Sequence, residues 1–174
     1  MAHSKLLVRP DLANAHGCVH QVTPASAGWT YVGFEVHDLQ PGDSLVRQTG
    51  DFEICIVIVS GRAGITAGSG IGSQDFGILG KRLTPFEGGP WSVYVPAKSS
   101  YTVVAATKCE IAICAAPATG ALPARAISPA LVSAAVIRPS VSSAGRLARS
   151  TPQVAPSVAP PCAAITYGRV TSIV

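Results

Sequence analysis

Phe52-Glu-Ile-Cys-Ile-Val-Ile-Val59 is a run of eight residues, seven of them apolar, closed by Ser60-Gly61. It is too short for a core helix and rich in β-branched side chains, so it predicts a central strand buried on both faces. Ile54, Ile56 and Ile58 alternate against Val57 and Val59. Ser60-Gly61 is a turn, and residues 62–67 read as a return strand.

The same rhythm extends in both directions. Upstream, Trp29-Thr-Tyr-Val-Gly-Phe-Glu-Val36 is aromatic and β-branched, and Pro41-Gly42-Asp43 punctuates it. Downstream, residues 68–80 are a glycine-rich connection. Trp91-Ser-Val-Tyr-Val95 places Trp91, Val93 and Val95 on one face. Residues 101–106 and 109–115 read as a hairpin across Thr107-Lys108. Strands at intervals of roughly eight to twelve residues, with turn residues between, predict an all-β antiparallel sandwich or barrel over about residues 5–120. No helix is expected within it. A short one is expected to start at Ser128-Pro129, with Ser as N-cap and Pro in the first turn, and to continue through residues 130–137.

Composition narrows the function classes. Of 174 residues 48% are hydrophobic and 13% charged, which predicts a sizeable core. The net charge of +4 is unevenly placed: residues 1–110 carry eight Lys/Arg against nine Asp/Glu, while residues 111–174 carry five Arg and no acid. Those arginines are dispersed, so no nucleic-acid partner is expected. The longest apolar runs fall far short of the roughly 18 residues of a membrane span, and residues 1–10 lack a signal-peptide core. No membrane partner is expected, and the cytoplasm is the expected compartment. The five Cys, at 18, 55, 109, 114 and 162, include no CxxC pair and read as free thiols.

Character changes at about residue 137. Of the residues 139–174, seventeen of 36 are Pro, Ala or Ser, and none is acidic. The expected division is an all-β domain over 1–137 and a disordered tail over 138–174.

Several segments resemble the 5-deoxy-glucuronate isomerase family of inositol catabolism. They include Val22-Thr-Pro-Ala-Ser-Ala-Gly-Trp-Thr-Tyr-Val-Gly-Phe-Glu-Val36, Pro41-Gly42, Thr49-Gly50-Asp51 through Ser60-Gly-Arg-Ala63, and Phe86-Glu-Gly88. Val93-Tyr-Val-Pro96, Tyr101-Thr-Val103, Glu110-Ile-Ala-Ile-Cys114, Ala116-Pro117 and Pro123-Ala-Arg125 follow in the family's order. The resemblance implies the first half of a bicupin, two cupin barrels in one chain, the second holding a divalent metal. It implies an aldose–ketose isomerisation of a uronic acid, a small-molecule sugar acid as ligand of the full-length protein, and room for a homo-oligomer. A metal-binding cupin uses an HxH pair and a Glu, then a His after a Pro-x-Gly turn. Here residues 41–53 contain no His, and the later turn reads Pro96-Ala-Lys-Ser-Ser-Tyr101, with Lys98 and Tyr101 in place of Gly and His. The expectation is therefore no catalytic, cofactor or metal residue in this half, which by itself should be inactive. The chemistry would lie in a second cupin absent from this sequence. The tail fits an out-of-frame reading of that cupin's gene region or, alternatively, a linker.

The alternatives are a non-enzymatic cupin that binds a sugar acid, and a structural half that packs on a second cupin. Individual residues add little to either. His16, Cys18 and His20 alternate and would share one face if extended, as two imidazoles and a thiol can for zinc, but an exposed N-terminal arm is favoured. Gly68-Ser-Gly-Ile-Gly72 lacks the third glycine and the crossover helix of a dinucleotide loop and reads as a hairpin loop. Asp51 and Glu53 read as a solvated rim rather than an acid–base pair. Glu87, beside two glycines, is the one acid on a family-like turn, and no role is assigned to it.

Overall fold

A computed structural model describes residues 8–69, 72–119 and 122–134. The expectations for residues 138–174, and for Cys162, lie outside the described residues.

Twelve elements follow in order: β1 Cys18–Val22, α1 Pro24–Ala27, β2 Gly33–Leu39, β3 Ser44–Gln48, β4 Phe52–Ser60, β5 Ala63–Ser69, β6 Gly72–Leu79, β7 Trp91–Val95, β8 Ser100–Ala105, β9 Cys109–Pro117, β10 Arg125–Ile127 and α2 Pro129–Ala134. The strands form two sheets, β1-β2-β9-β4-β7-β10 and β3-β8-β5-β6, with every pairing antiparallel. The arrangement is the expected cupin-like sandwich.

β4 sits where its sequence placed it, between β9 and β7. Ile54, Ile56 and Ile58 join Val93, Val95, Ile111 and Ile113 in the core between the sheets, with Leu45, Ile65 and Val103 from the smaller sheet. Cys55, Val57 and Val59 are buried on the opposite face with Ala112. The near-continuous apolar run thus records burial on both sides.

Four expectations need correction. Residues 72–79 are the strand β6 rather than part of a glycine connection; β6 is an edge strand with mostly exposed side chains, so burial left no apolar signal in it. The segments flanking Thr107-Lys108 are not a hairpin: β8 and β9 lie in different sheets, and so do β4 and β5. Both connections cross from one layer to the other and pack together. Gly61 has φ +79°, and a Cβ there would lie 2.2 Å from the Lys108 carbonyl oxygen, so this close crossing requires glycine. A short helix, α1, was missed. Its Thr23-Pro24-Ala25-Ser26 start is a capping box, with Thr23 and Ser26 exchanging side-chain to backbone hydrogen bonds. The expected strand at residues 29–36 begins only at Gly33, because Gly28 ends α1 in the left-handed region and the Trp29 indole donates to the Val32 carbonyl across the next turn. The helix expected at Ser128-Pro129 is present as α2.

Candidate functional site

The inward face of β2 changes character along its length. Leu39 lies in the apolar core, and His37 and Glu35 continue the same face, opposite Ile111 and Ile113 of β9. On the facing sheet, Leu45 is core and Arg47 follows it, paired with Tyr101 of β8. The interior of the sandwich therefore ends, beside β1 and β3, in four polar side chains.

Glu35 is the hub. One carboxylate oxygen accepts from Arg47 Nη1 at 2.6 Å and lies 3.0 Å from His37 Nε2; the other accepts from Gln21 Nε2 at 2.9 Å. The hydrogen bond from His37 is the largest influence on its acidity. Burial opposes it, Gln21 and Arg47 reinforce it, and the carboxyl falls from 4.5 to about 2. Burial alone would lower the Arg47 guanidinium, but the Glu35 hydrogen bond and charge hold it above its ordinary value. Burial pushes the Tyr101 phenol up against the pull of Arg47.

Local sequence places the other wall. Asn14 Oδ1 accepts from the amides of His16 and Cys18, and Gly17 turns the chain with φ +70°. A Cβ on Gly17 would lie 2.5 Å from the Asp38 carbonyl oxygen, so only glycine lets this turn press against β2. The turn presents the His16 carbonyl to His37 Nδ1 at 3.1 Å and starts β1 with Cys18 opposite His37. The thiol of Cys18, the carboxylate of Glu35 and the ring of His37 each offer a ligand-type atom, all within 4.8 Å of one another.

This arrangement departs from the exposed arm expected for residues 16–20, because β1 is paired with β2 and Cys18 is buried. His16, Cys18 and His20 do not share a face. A bulge between Cys18 and His20 puts Cys18 opposite His37 and His20 opposite Val36, which faces the other way. Sequence reasoning missed Glu35, His37 and Arg47. The signal for the first two was present, since Glu35-Val-His37 sets two ligand types two residues apart within a strand. That Cys18 and Arg47 meet them is a matter of strand pairing and sheet packing.

The remaining candidates are dispersed. Asp51 is exposed ahead of β4. Glu53 lies on the outward face and accepts a 2.9 Å hydrogen bond from the Tyr94 hydroxyl, so the two acids do not form a pair. Glu87 lies beside a surface cleft of about 340 Å³ lined also by Lys81, Arg82 and Trp91, and its carboxylate accepts from the Leu83 amide at 2.7 Å. Gly68 and Gly72 lie on either side of the β5–β6 hairpin tip, as expected. Lys98 takes the left-handed conformation, φ 57°, where a cupin turn has glycine, and Tyr101 points inward at the position of the cupin histidine. No imidazole stands in residues 41–53 or 96–101, so the metal of a cupin centre does not fit at those positions. Among the described residues no helix is long and apolar enough to cross a membrane.

Comparison with known proteins agrees with the architecture. The 5-deoxy-glucuronate isomerase of Geobacillus kaustophilus (strain HTA426) is 39% identical over 158 residues, covering 90% of this chain and 54% of the relative. That of Geobacillus thermodenitrificans (strain NG80-2) is 42% identical over 130 residues, covering 74% of this chain and 46% of the relative. The crystal structure of an IolB-like protein from Salmonella typhimurium LT2 superposes with a TM-score of 0.65 at 36% identity, over 71% of this chain and 45% of that one. The chain spans about half the length of the curated relatives it matches. A family model matches residues 6–169, nearly the whole sequence and well past the compositional change at residue 137. With the sandwich, its strand order and these matches in agreement, the chain belongs to the KduI/IolB family.

Proposed function

We propose that this chain is the N-terminal cupin of a cytoplasmic 5-deoxy-glucuronate isomerase, a bicupin of inositol catabolism, and that it supports the reaction without carrying the chemistry. The observation that carries this reading is the 39% identity to an isomerase of that name over 90% of the chain. Aldose–ketose isomerisation needs a base to move a proton between adjacent carbons and an electrophile for the enediolate. Glu35 is poorly suited to the first task. With its pKa held at about 2 by three donors, it is a weak base at neutral pH. Tyr101 is equally unsuited to donate a proton, because burial holds the phenol above its ordinary pKa. These features favour a supporting role for this half, with the substrate's reacting carbons addressed by the second cupin.

The test uses the purified chain and a chimera in which residues 1–137 replace the corresponding half of the Geobacillus kaustophilus isomerase. Both are incubated with 5-deoxy-glucuronate, and the ratio of aldose to ketose is followed by NMR. The chain alone is expected to match the uncatalysed background, and the chimera to turn over. Turnover by the chain alone would place the chemistry in this half. A folded chimera without turnover would remove the isomerase reading.

A further inference from the structure

We propose that Cys18, Glu35 and His37 form a divalent-metal site of the zinc class in this chain, separate from the cupin ligand positions and independent of the isomerase reading above.

The donor set is the first argument. A thiolate, an imidazole and a carboxylate suit a borderline-soft ion such as Zn²⁺, whereas Mg²⁺ and Ca²⁺ prefer oxygen alone. Zinc bonds of roughly 2.0–2.3 Å hold ligand atoms about 3–4 Å apart. His37 Nε2 and Glu35 Oε2 already stand 3.0 Å apart, and the whole trio lies within 4.8 Å. The remaining closure is small enough for a torsion of the Cys18 side chain, whose thiol now donates to the His20 carbonyl at 3.4 Å.

The second argument is the hydrogen bonding of His37, which is fully buried. Its Nδ1 faces the His16 carbonyl at 3.1 Å, a partner that can only accept. Nδ1 therefore carries a hydrogen, and Nε2 faces a carboxylate oxygen, another acceptor. Only a second proton or a cation between Nε2 and Oε2 reconciles that contact. A backbone carbonyl on the distal nitrogen is the usual way a metal-ligating histidine is oriented. Gln21 and Arg47 fix the carboxylate in the same manner, from outside the trio.

Arg47 does not forbid the ion. A divalent ion held by the Cys18 thiolate and the Glu35 carboxylate has its two positive charges matched by those two anions. The bulge in β1 also gains a purpose, because it turns Cys18 toward His37 while His20 turns away. Three protein ligands leave a fourth position for water or a small anion.

The test titrates the full metal-free chain with Co²⁺, then with Zn²⁺ against a chromophoric chelator, and measures binding with no reference to turnover. The expected result is one ion per chain with a sulfur-to-cobalt charge-transfer band. Cys18→Ser should abolish that band. His37→Gln should weaken binding by more than the roughly 10–100-fold that loss of an outer partner costs. Cys114→Ser, Cys162→Ser and His20→Gln should leave both signals unchanged. Should His37→Gln fail to fold, Cys18→Ser, which alters one atom, still decides. No binding at excess metal, or a charge-transfer band that survives Cys18→Ser, would overturn the proposal. If the chain binds metal as described while the chimera is inactive, the site stands and only the isomerase reading falls.

Discussion

The interior of this sandwich is built from two different materials. Around β4, β5 and β7 the inward faces carry Ile56, Ile65, Val93 and Val95, all fully buried. Around β1, β2 and β3 the same two inward faces carry Glu35, His37, Arg47 and Tyr101. The apolar end is held by area removed from water, and each side chain contributes on its own. The polar end is held by reciprocity: Glu35 compensates Arg47 and His37, and removing it leaves the buried His37 and the half-buried Arg47 unmatched.

The sharpest break falls on the apolar end. Ile56 is 0% exposed and lies at the middle of the central strand. Ile56→Ala should cost about 3 kcal/mol, transfer and cavity terms together. Urea unfolding checks this as a lower midpoint with an unchanged slope. A loss well under about 1 kcal/mol would mean the core closes around the gap.

A smaller loss is expected at the polar end. In the metal-free protein at pH 7, Glu35→Gln keeps the shape but leaves the Arg47 cation without its counter-charge. The depressed carboxyl pKa corresponds to about 2 kcal/mol once partial exposure is allowed for, since the Glu35 side chain is 20% exposed. The pH dependence gives a second, more specific reading. Glu35 titrates near 4.5 when unfolded and near about 2 when folded. Its contribution is therefore complete above about pH 4.5 and is lost as pH falls toward about 2. Unfolding curves between pH 7 and pH 2 should show the native chain losing stability over that window, and Glu35→Gln losing less. Parallel acid limbs for the two proteins would show that the Glu35 network does not contribute as drawn.

The same division explains what the sequence made visible. β4 and β7 were legible because burial imposes a pattern on neighbouring residues: Ile54 to Val59 apolar throughout, Trp91, Val93 and Val95 alternating. β6 was not, since an exposed edge strand needs no pattern. The hairpin expected across Thr107-Lys108 failed because turn residues mark a change of direction without saying which sheet the chain joins next. The polar cluster was hidden for a related reason. Glu35-Val-His37 shows two ligand types on one face, but Cys18 reaches them only through a bulged strand pair, and Arg47 only across the layers. The bulge also defeated the simple alternation that grouped His16, Cys18 and His20. Local chemistry was on the page in each case, and long-range register was not.

Lys98 tests the comparison at its mildest, in a turn that belongs to neither end of the interior. It is exposed and holds φ 57°, the sole left-handed non-glycine among the described residues. Its backbone is fixed there by an amide hydrogen bond to the Gly50 carbonyl at 2.6 Å, while Ser99 beside it bonds Thr49. A side chain in this conformation costs about 1–2 kcal/mol, and replacing it with glycine returns about 0.5–1 kcal/mol to the unfolded chain as added freedom. The difference favours glycine, so Lys98→Gly should stabilise the fold by roughly 0.5–1 kcal/mol. The gain should appear as a higher urea midpoint with unchanged slope, and it should be the same at pH 7 and pH 4, because no part of it comes from the Glu35 network. A loss of stability would show that the lysine side chain holds the turn by contacts of its own. A gain present at one pH only would tie the turn electrostatically to the polar end.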